Sequence, residues 1–330
     1  MRYLPVLAAC CGLALPATAQ TKPVLTVYTY DSFAAEWGPG PAVKAGFEAG
    51  CGCELRWVTA GDGAALLARV LLEGSATEAD VVLGLDQNLI PAAQESGLFA
   101  PAPTRPKAGA LPVDWTNGTF APFDWGWFAF VYDATKIGTV PASFEELAAS
   151  DLKIVIEDPR SSTPGLGLLL WVKAAYGDRS GEIWAGLSDN ILTITPGWSE
   201  AYGLFLKGEA DMVLSYTTSP VYHRMAEGDG TREAAIFREG HMLQVEVAAK
   251  LAGSDQGALA DRFLKFMESP AFQSAIPQTN WMYPSNLPLP ELPLPFQMQK
   301  RPEKTLFLTA GEVAALRDPA LAEWREVLSR

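Results

Sequence analysis

Strand-like and helix-like stretches alternate along the chain. Residues 24–28 alternate as a strand, and residues 63–73 place Ala64, Leu67, Val70 and Leu71 at helical spacing. Residues 79–84 and 154–156 predict buried strands. Residues 164–176 are apolar nearly all round, which predicts a buried helix ending at Gly177. A short helix over 201–207, strands over 211–215 and 244–249, and an amphipathic helix over 258–267 complete the pattern. Prolines crowd residues 284–295, which predicts an extended connector without regular structure. This alternation implies α/β lobes with mainly parallel sheets.

The conspicuous polar and aromatic residues lie just beyond the carboxyl ends of these strands. Tyr30 and Asp31 follow the first, Asp86 the next, Ser161, Ser162 and Thr163 another, and Tyr216, Thr217, Thr218 and Ser219 a fourth. In open α/β sheets that edge receives ligands. Two lobes facing each other across such edges form a cleft.

Residues 1–19 read as a signal peptide: Arg2 as the charged start, an apolar stretch over 4–15, and Ala17-Thr18-Ala19 before Gln20. The mature protein is expected outside the cytoplasm and not inserted in the membrane, since no later run approaches the ~20 apolar residues a span requires. Leu7-Ala8-Ala9-Cys10 resembles a lipobox, so lipidation at Cys10 is the competing expectation. About 310 residues should remain after cleavage, enough for two lobes.

The balance of 25 Lys+Arg against 38 Asp+Glu repels nucleic acid and anionic membranes, and it favours a cationic ligand as well as solubility. Cleavage would leave two cysteines, Cys51 and Cys53, either paired or an exposed dithiol. With two histidines, His223 and His241, no histidine-rich metal centre is expected.

Each candidate has a plain structural reading beside the functional one. Asp62 serves as a helix N-cap as readily as a partner for a ligand cation. Thr163 and Pro164 form a helix start, with Thr163 as cap, and Gly165 and Gly167 would let a phosphate approach its amides. Trp198, after Pro196-Gly197 and before a cap at Ser199, is expected in a loop, as core or as a stacking face. Tyr216 and Tyr222 flank the hydroxyls of Thr217, Thr218 and Ser219, and Trp281 follows a helix where the chain straightens. No Gly-x-Ser-x-Gly elbow occurs and no histidine has an evident Ser or Cys partner, so no catalytic residue is assigned.

Five runs together are more specific than any one: 23–33, 80–86, 162–171, 197–202 and 215–220. They closely resemble the periplasmic thiamine-binding proteins of bacterial ABC transporters, over nearly all the mature chain. The resemblance implies a two-lobed type II periplasmic-binding-protein fold with three crossings between lobes. One lobe would comprise residues 20–122 and 246–282, the other 123–245 and 283–330. It further implies a receptor without cofactor or metal that takes thiamine or its mono- and diphosphate to a membrane permease and its ATPase. By matching position, the site would hold Asp62, Gly63, Ser162, Thr163, Trp198 and Tyr216 through Ser219, with Tyr30, Tyr222 and Trp281 as aromatic neighbours. Asp62 and Trp198 would serve the cation, Ser162 and Thr163 the phosphate. The rivals are receptors for a polyamine or ferric iron, and a transferase resembling thiaminase I, which needs a cleft cysteine.

The mature chain is expected to begin at Gln20 without lipid. Intact-mass measurement of the exported product checks this; a diacylglycerol adduct on Cys10 would overturn it.

Overall fold

The computed structural model describes residues 22–329, so the expected signal peptide and Cys10 lie outside the described residues. Strand Ala121–Asp133 is buried along its whole length. Its first half pairs antiparallel with the long strand His241–Leu251, from Ala121 opposite Ala248 to Trp127 opposite Leu243. Its second half, Phe128 to Tyr132, pairs with Met212–Tyr216. One backbone therefore belongs to both lobes.

From this strand the first lobe continues through His241–Leu251 to Val81–Asp86, Val24–Thr29 and the outer strand Glu54–Thr59. The second continues through Met212–Tyr216 and Ile154–Glu157 to Ile191–Thr195. Within each lobe these outer strands run parallel, and the inner ones are buried on both faces, hence their nearly unbroken apolar runs. This is the two-lobed α/β architecture of the type II periplasmic-binding fold.

Helix Gly63–Glu73 has the expected bounds and buries Ala64, Leu67 and Val70 as expected, but Leu66 is buried and Leu71 is exposed. Both positions fit a helical stripe, and only the neighbouring sheet decides which one it covers. Helix Thr163–Tyr176 is buried over its first ten residues and ends at Gly177, and helix Gly257–Met267 buries one face. The strand expected over 79–84 is Val81–Asp86, which makes Asp86 its last residue. The proline-rich segment is not wholly irregular: it contains a 3-10 turn, Leu289–Glu291, and a short helix, Leu294–Met298, each begun by a proline where no helical N–H is needed. Cys51 and Cys53 are joined in a disulfide at the end of helix Gly40–Cys51, with Gly52 between them at φ 66°. No helix among the described residues is long and apolar enough to cross a membrane.

Helix Thr163–Tyr176 lies so close to the shared strand that a Cβ on Gly167 would sit 2.0 Å from the Phe128 ring. Gly167→Ala must displace that buried ring, at a cost of about 1–3 kcal/mol. Urea denaturation should show a lower midpoint; an unchanged midpoint would contradict the packing described.

Candidate functional site

The lobes enclose a cavity of 570 Å³ at the carboxyl edges of their strands. Tyr30 reaches it because strand Val81–Asp86 bulges at Gly84, where φ is 104° and the register against His241–Leu251 skips a residue. The space beside Gly84 is filled by the Tyr30 ring, whose Cδ1 lies 2.2 Å from where a Cβ would be. The phenol then donates to Glu246 Oε2 at 2.9 Å.

Glu246 forms the cavity floor with Asn280 and Tyr216. Gln244 Nε2 donates to Glu246 Oε1 at 3.0 Å, and the Tyr216 phenol donates to Gln244 Oε1 at 2.9 Å. Asn280 Nδ2 donates to Asp124 Oδ2 at 2.6 Å. Asp124 is opposite Glu246 in the ladder of the two long strands.

Aromatic rings make the walls. Trp198 stacks on Tyr202 at 4.9 Å and donates from Nε1 to Ser215 Oγ at 2.8 Å. Tyr222 meets Trp281 edge-on at 5.3 Å. Each of that pair adjoins a π-helical turn, His223–Glu227 after Tyr222 and Ile276–Asn280 before Trp281. Trp281 is the non-glycine residue with positive φ, 59°, among the described residues. A left-handed tryptophan is strained backbone retained by its surroundings, a feature concentrated at ligand clamps. Trp37 and Leu206 form a partly exposed apolar rim.

Asp62 ties the lobes together. Its carboxylate caps helix Gly63–Glu73 through the Gly63 amide at 3.0 Å and accepts from Ser162 Oγ at 2.7 Å and the Trp198 amide at 3.4 Å. The Ala65 amide donates to Ser161 O at 2.9 Å beside it. The lobes meet tightly here: a Cβ on Gly63 would stand 2.5 Å from Thr163 Cγ2, and it would also crowd Gly84 O of its own lobe at 2.6 Å.

Among the described residues the cavity wall contains carboxylates and phenols but no Lys, Arg, His or Cys. Loss of water raises Asp62 above the usual carboxylate range, opposed by its hydrogen bonds. Burial first, then the charge of Asp124, holds Glu246 far above that range. Burial raises the phenols of Tyr30, Tyr202, Tyr216 and Tyr222. All four are engaged: Tyr202 with His223 Nε2 at 2.8 Å, Tyr222 donating to Glu227 at 2.9 Å, and the other two as above. His223, Glu227 and Asp229 place possible metal-ligand atoms within 4.8 Å of one another. Both His223 nitrogens are already used, however, by Tyr202 and by Glu227 at 2.7 Å, and that chain fixes the two cavity tyrosines.

Of the expected site residues, Tyr30, Asp62, Thr163, Trp198, Tyr216, Thr218, Ser219, Tyr222 and Trp281 line the cavity. Gly63, Ser162 and Thr217 lie behind its wall. Gly63 provides the close approach of the lobes, and Thr217 is held by its amide to Trp127 O at 2.9 Å. The N-cap of helix Thr163–Tyr176 is Ser162, one residue earlier than expected, so its hydroxyl faces the Gly165 amide and Asp62. Trp198 is not in a loop: it is the first residue of helix Trp198–Leu206, with Gly197 rather than Ser199 as N-cap. Sequence reasoning missed Tyr202, although it stands four residues from Trp198 on that helix. It also missed Glu246, whose signal was two alternating polar residues, Gln244 and Glu246, within an apolar strand.

The pattern of the bacterial extracellular solute-binding protein family matches residues 29–274. The chain belongs to this family. This solute-binding protein is 54% identical to the thiamine-binding periplasmic protein of Salmonella typhimurium over 331 residues, covering 100% of this chain and 99% of that one. It is 54% identical to the thiamine-binding periplasmic protein of Escherichia coli over 326 residues, 97% of this chain and 99% of that one. A solved periplasmic thiamin binding protein superposes with a TM-score of 0.92 at 53% identity, covering 96% of this chain and 100% of its own.

Closure of this solute-binding protein depends on a bare α-carbon at position 63. Gly63→Ala should hold the lobes apart, and small-angle scattering should show a larger radius of gyration than the wild type under the same conditions. Equal radii would show that the contact with Thr163 does not limit closure.

Proposed function

We propose that this protein captures thiamine in the periplasm and delivers it to the permease and ATPase of an ABC importer. The observation that carries the reading is an aromatic cavity with carboxylates in its wall and no basic side chain among its described residues. The thiazolium ring has a permanent charge that no proton loss can neutralise. Aromatic faces and carboxylates are its natural partners in a site removed from water. Trp198 and the Tyr222–Trp281 pair supply flat faces for the two rings, and Asp62 and Glu246 supply negative charge.

We divide the chain into the lobes 20–122 with 246–282 and 123–245 with 283–330, with the ligand clamped between them. Thiamine mono- and diphosphate are included in the proposal, their phosphoryl group against the Thr163 hydroxyl at the helix start. Ser162 then has a different part: its hydroxyl is committed to Asp62, so it supports closure around either ligand. A ferric site would require phenolates, which the raised and hydrogen-bonded cavity tyrosines oppose. The thiaminase-like reading asks for a cleft thiol, whereas Cys51 and Cys53 are bonded to each other and neither lines the cavity. We therefore infer binding without turnover.

Calorimetric titration with thiamine, its monophosphate and spermidine tests the reading, with heat expected from the first two. Trp198→Ala should weaken both about 5- to 30-fold, from loss of a stacking face worth ~1–2 kcal/mol. Ser162→Ala should weaken both alike, whereas Thr163→Val should cost the monophosphate about 10-fold and thiamine little. Tighter binding of spermidine than of thiamine would replace the assignment, and thiamine consumed over many turnovers would restore the enzyme reading.

A further inference from the structure

Two carboxyl groups face each other across the pair of strands that joins the lobes. Asp124 and Glu246 are direct partners in that ladder, both are buried, and Glu246 also lines the cavity. Among the described residues no Lys, Arg or His hydrogen-bonds to the pair or lines the cavity beside it. Ala121–Asp133 contributes Asp124 itself, and His241–Leu251 contributes Gln244, whose amide donates to Glu246. The end of the first strand contributes Tyr30, donating to Glu246 Oε2, and the segment after Ile276 contributes Asn280, donating to Asp124 Oδ2. Met212–Tyr216 contributes the Tyr216 phenol, which reaches Gln244. Asp62 adds negative charge from across the cavity. Asp86 is opposite Glu246 on the other neighbouring strand, but its carboxylate is bound by the Asn88 side chain and the amides of Asn88 and Leu89. Asp124 Oδ1 has no hydrogen-bond donor among the described residues. A proton on Glu246 directed at Asp124 supplies one.

We propose that Asp124 and Glu246 hold a single proton between them in the empty cleft, and that a cationic occupant of the cavity displaces it. The inference rests on the thiamine reading and assigns that ligand its counter-charge. In chemical terms one O–H bond of Glu246 breaks, its electron pair stays on the carboxylate, and the proton passes to water or buffer; nothing is oxidised or reduced. Two like charges side by side in a buried site cannot both persist unless a cation joins them. Burial of both groups, and the charge of Asp124 beside Glu246, favour retention of the proton on Glu246 while the site is empty. The ligand's fixed charge favours the doubly ionised form. Affinity must then rise with pH, by up to about tenfold per unit, wherever the empty pair is protonated and the complex is not. It must level off once the empty pair has itself ionised.

The test is calorimetry with thiamine in buffers of different ionisation enthalpy, together with dissociation constants from about pH 5 to about pH 9. The expected result is a binding heat that depends on the buffer and reports proton release, with affinity rising with pH. Asp124→Asn should lessen the proton release near neutral pH and make the affinity level off at lower pH, because the burial of Glu246 remains while the neighbouring charge is gone. Glu246→Gln should abolish both the proton release and the pH slope and weaken binding about tenfold or more. Asp86→Asn should keep the slope. Melting curves confirm that each variant is folded, and should Glu246→Gln fail, Asp124→Asn carries the comparison. Thiamine binding without buffer-dependent heat, a pH profile unchanged in Asp124→Asn, or a slope that vanishes in Asp86→Asn overturns the inference. Absence of any thiamine heat would sink the thiamine reading as well, so the two failures are distinguishable.

Discussion

The antiparallel pairing of Ala121–Asp133 with His241–Leu251 is the constraint on which the rest depends. Two buried backbones can cross between lobes only if their amides and carbonyls are satisfied throughout, and each long strand achieves this by changing partners along its length. The crossing is consequently a continuous sheet instead of a loose linker, and side chains at its midpoint are buried whichever lobe they face. Asp124, Gln244 and Glu246 stand at that midpoint. Trp125 stacks on Tyr283 at 4.5 Å beside them and stiffens the same region.

Around that axis the cavity is built from opposed requirements. Its walls need carboxylates to attract a cation, yet burial penalises carboxylates, and the chain compensates with donors in place of positive charges. Asp62 takes three hydrogen bonds, two of them from the other lobe, so the group that adds charge to the wall also holds the lobes together. Gly63 and Gly84 act by absence: each leaves the volume of a side chain to a neighbour, Thr163 in one case and the Tyr30 ring in the other.

The aromatic wall depends on irregular backbone. Tyr222 and Trp281 come from different lobes, and each is set by a widened helical turn that re-aims the chain by part of a residue. The chain Tyr202–His223–Glu227–Tyr222, buried at its Tyr202–His223 end and exposed at Glu227, then fixes two of the rings. The other histidine, His241, is likewise engaged within the fold, bonded to Phe128 O and the Phe237 amide.

Hydrophobic periodicity alone determined the elements whose packing is local, such as helices Gly63–Glu73, Thr163–Tyr176 and Gly257–Met267, because a stripe or an all-round apolar surface is written in consecutive residues. The placing of polar residues after strands likewise located the cleft, since the carboxyl edge of a parallel sheet is a property of chain direction. Which of those residues face the ligand was another matter. Ser162 and Thr217 carry the same kind of hydroxyl as Thr163 and Thr218, one residue apart, and a single step in the backbone turns one into the wall and the other behind it. The Asp124–Glu246 pair was invisible for a related reason: residues 122 positions apart become neighbours only when two strands align in one register, and register is decided by the whole sheet.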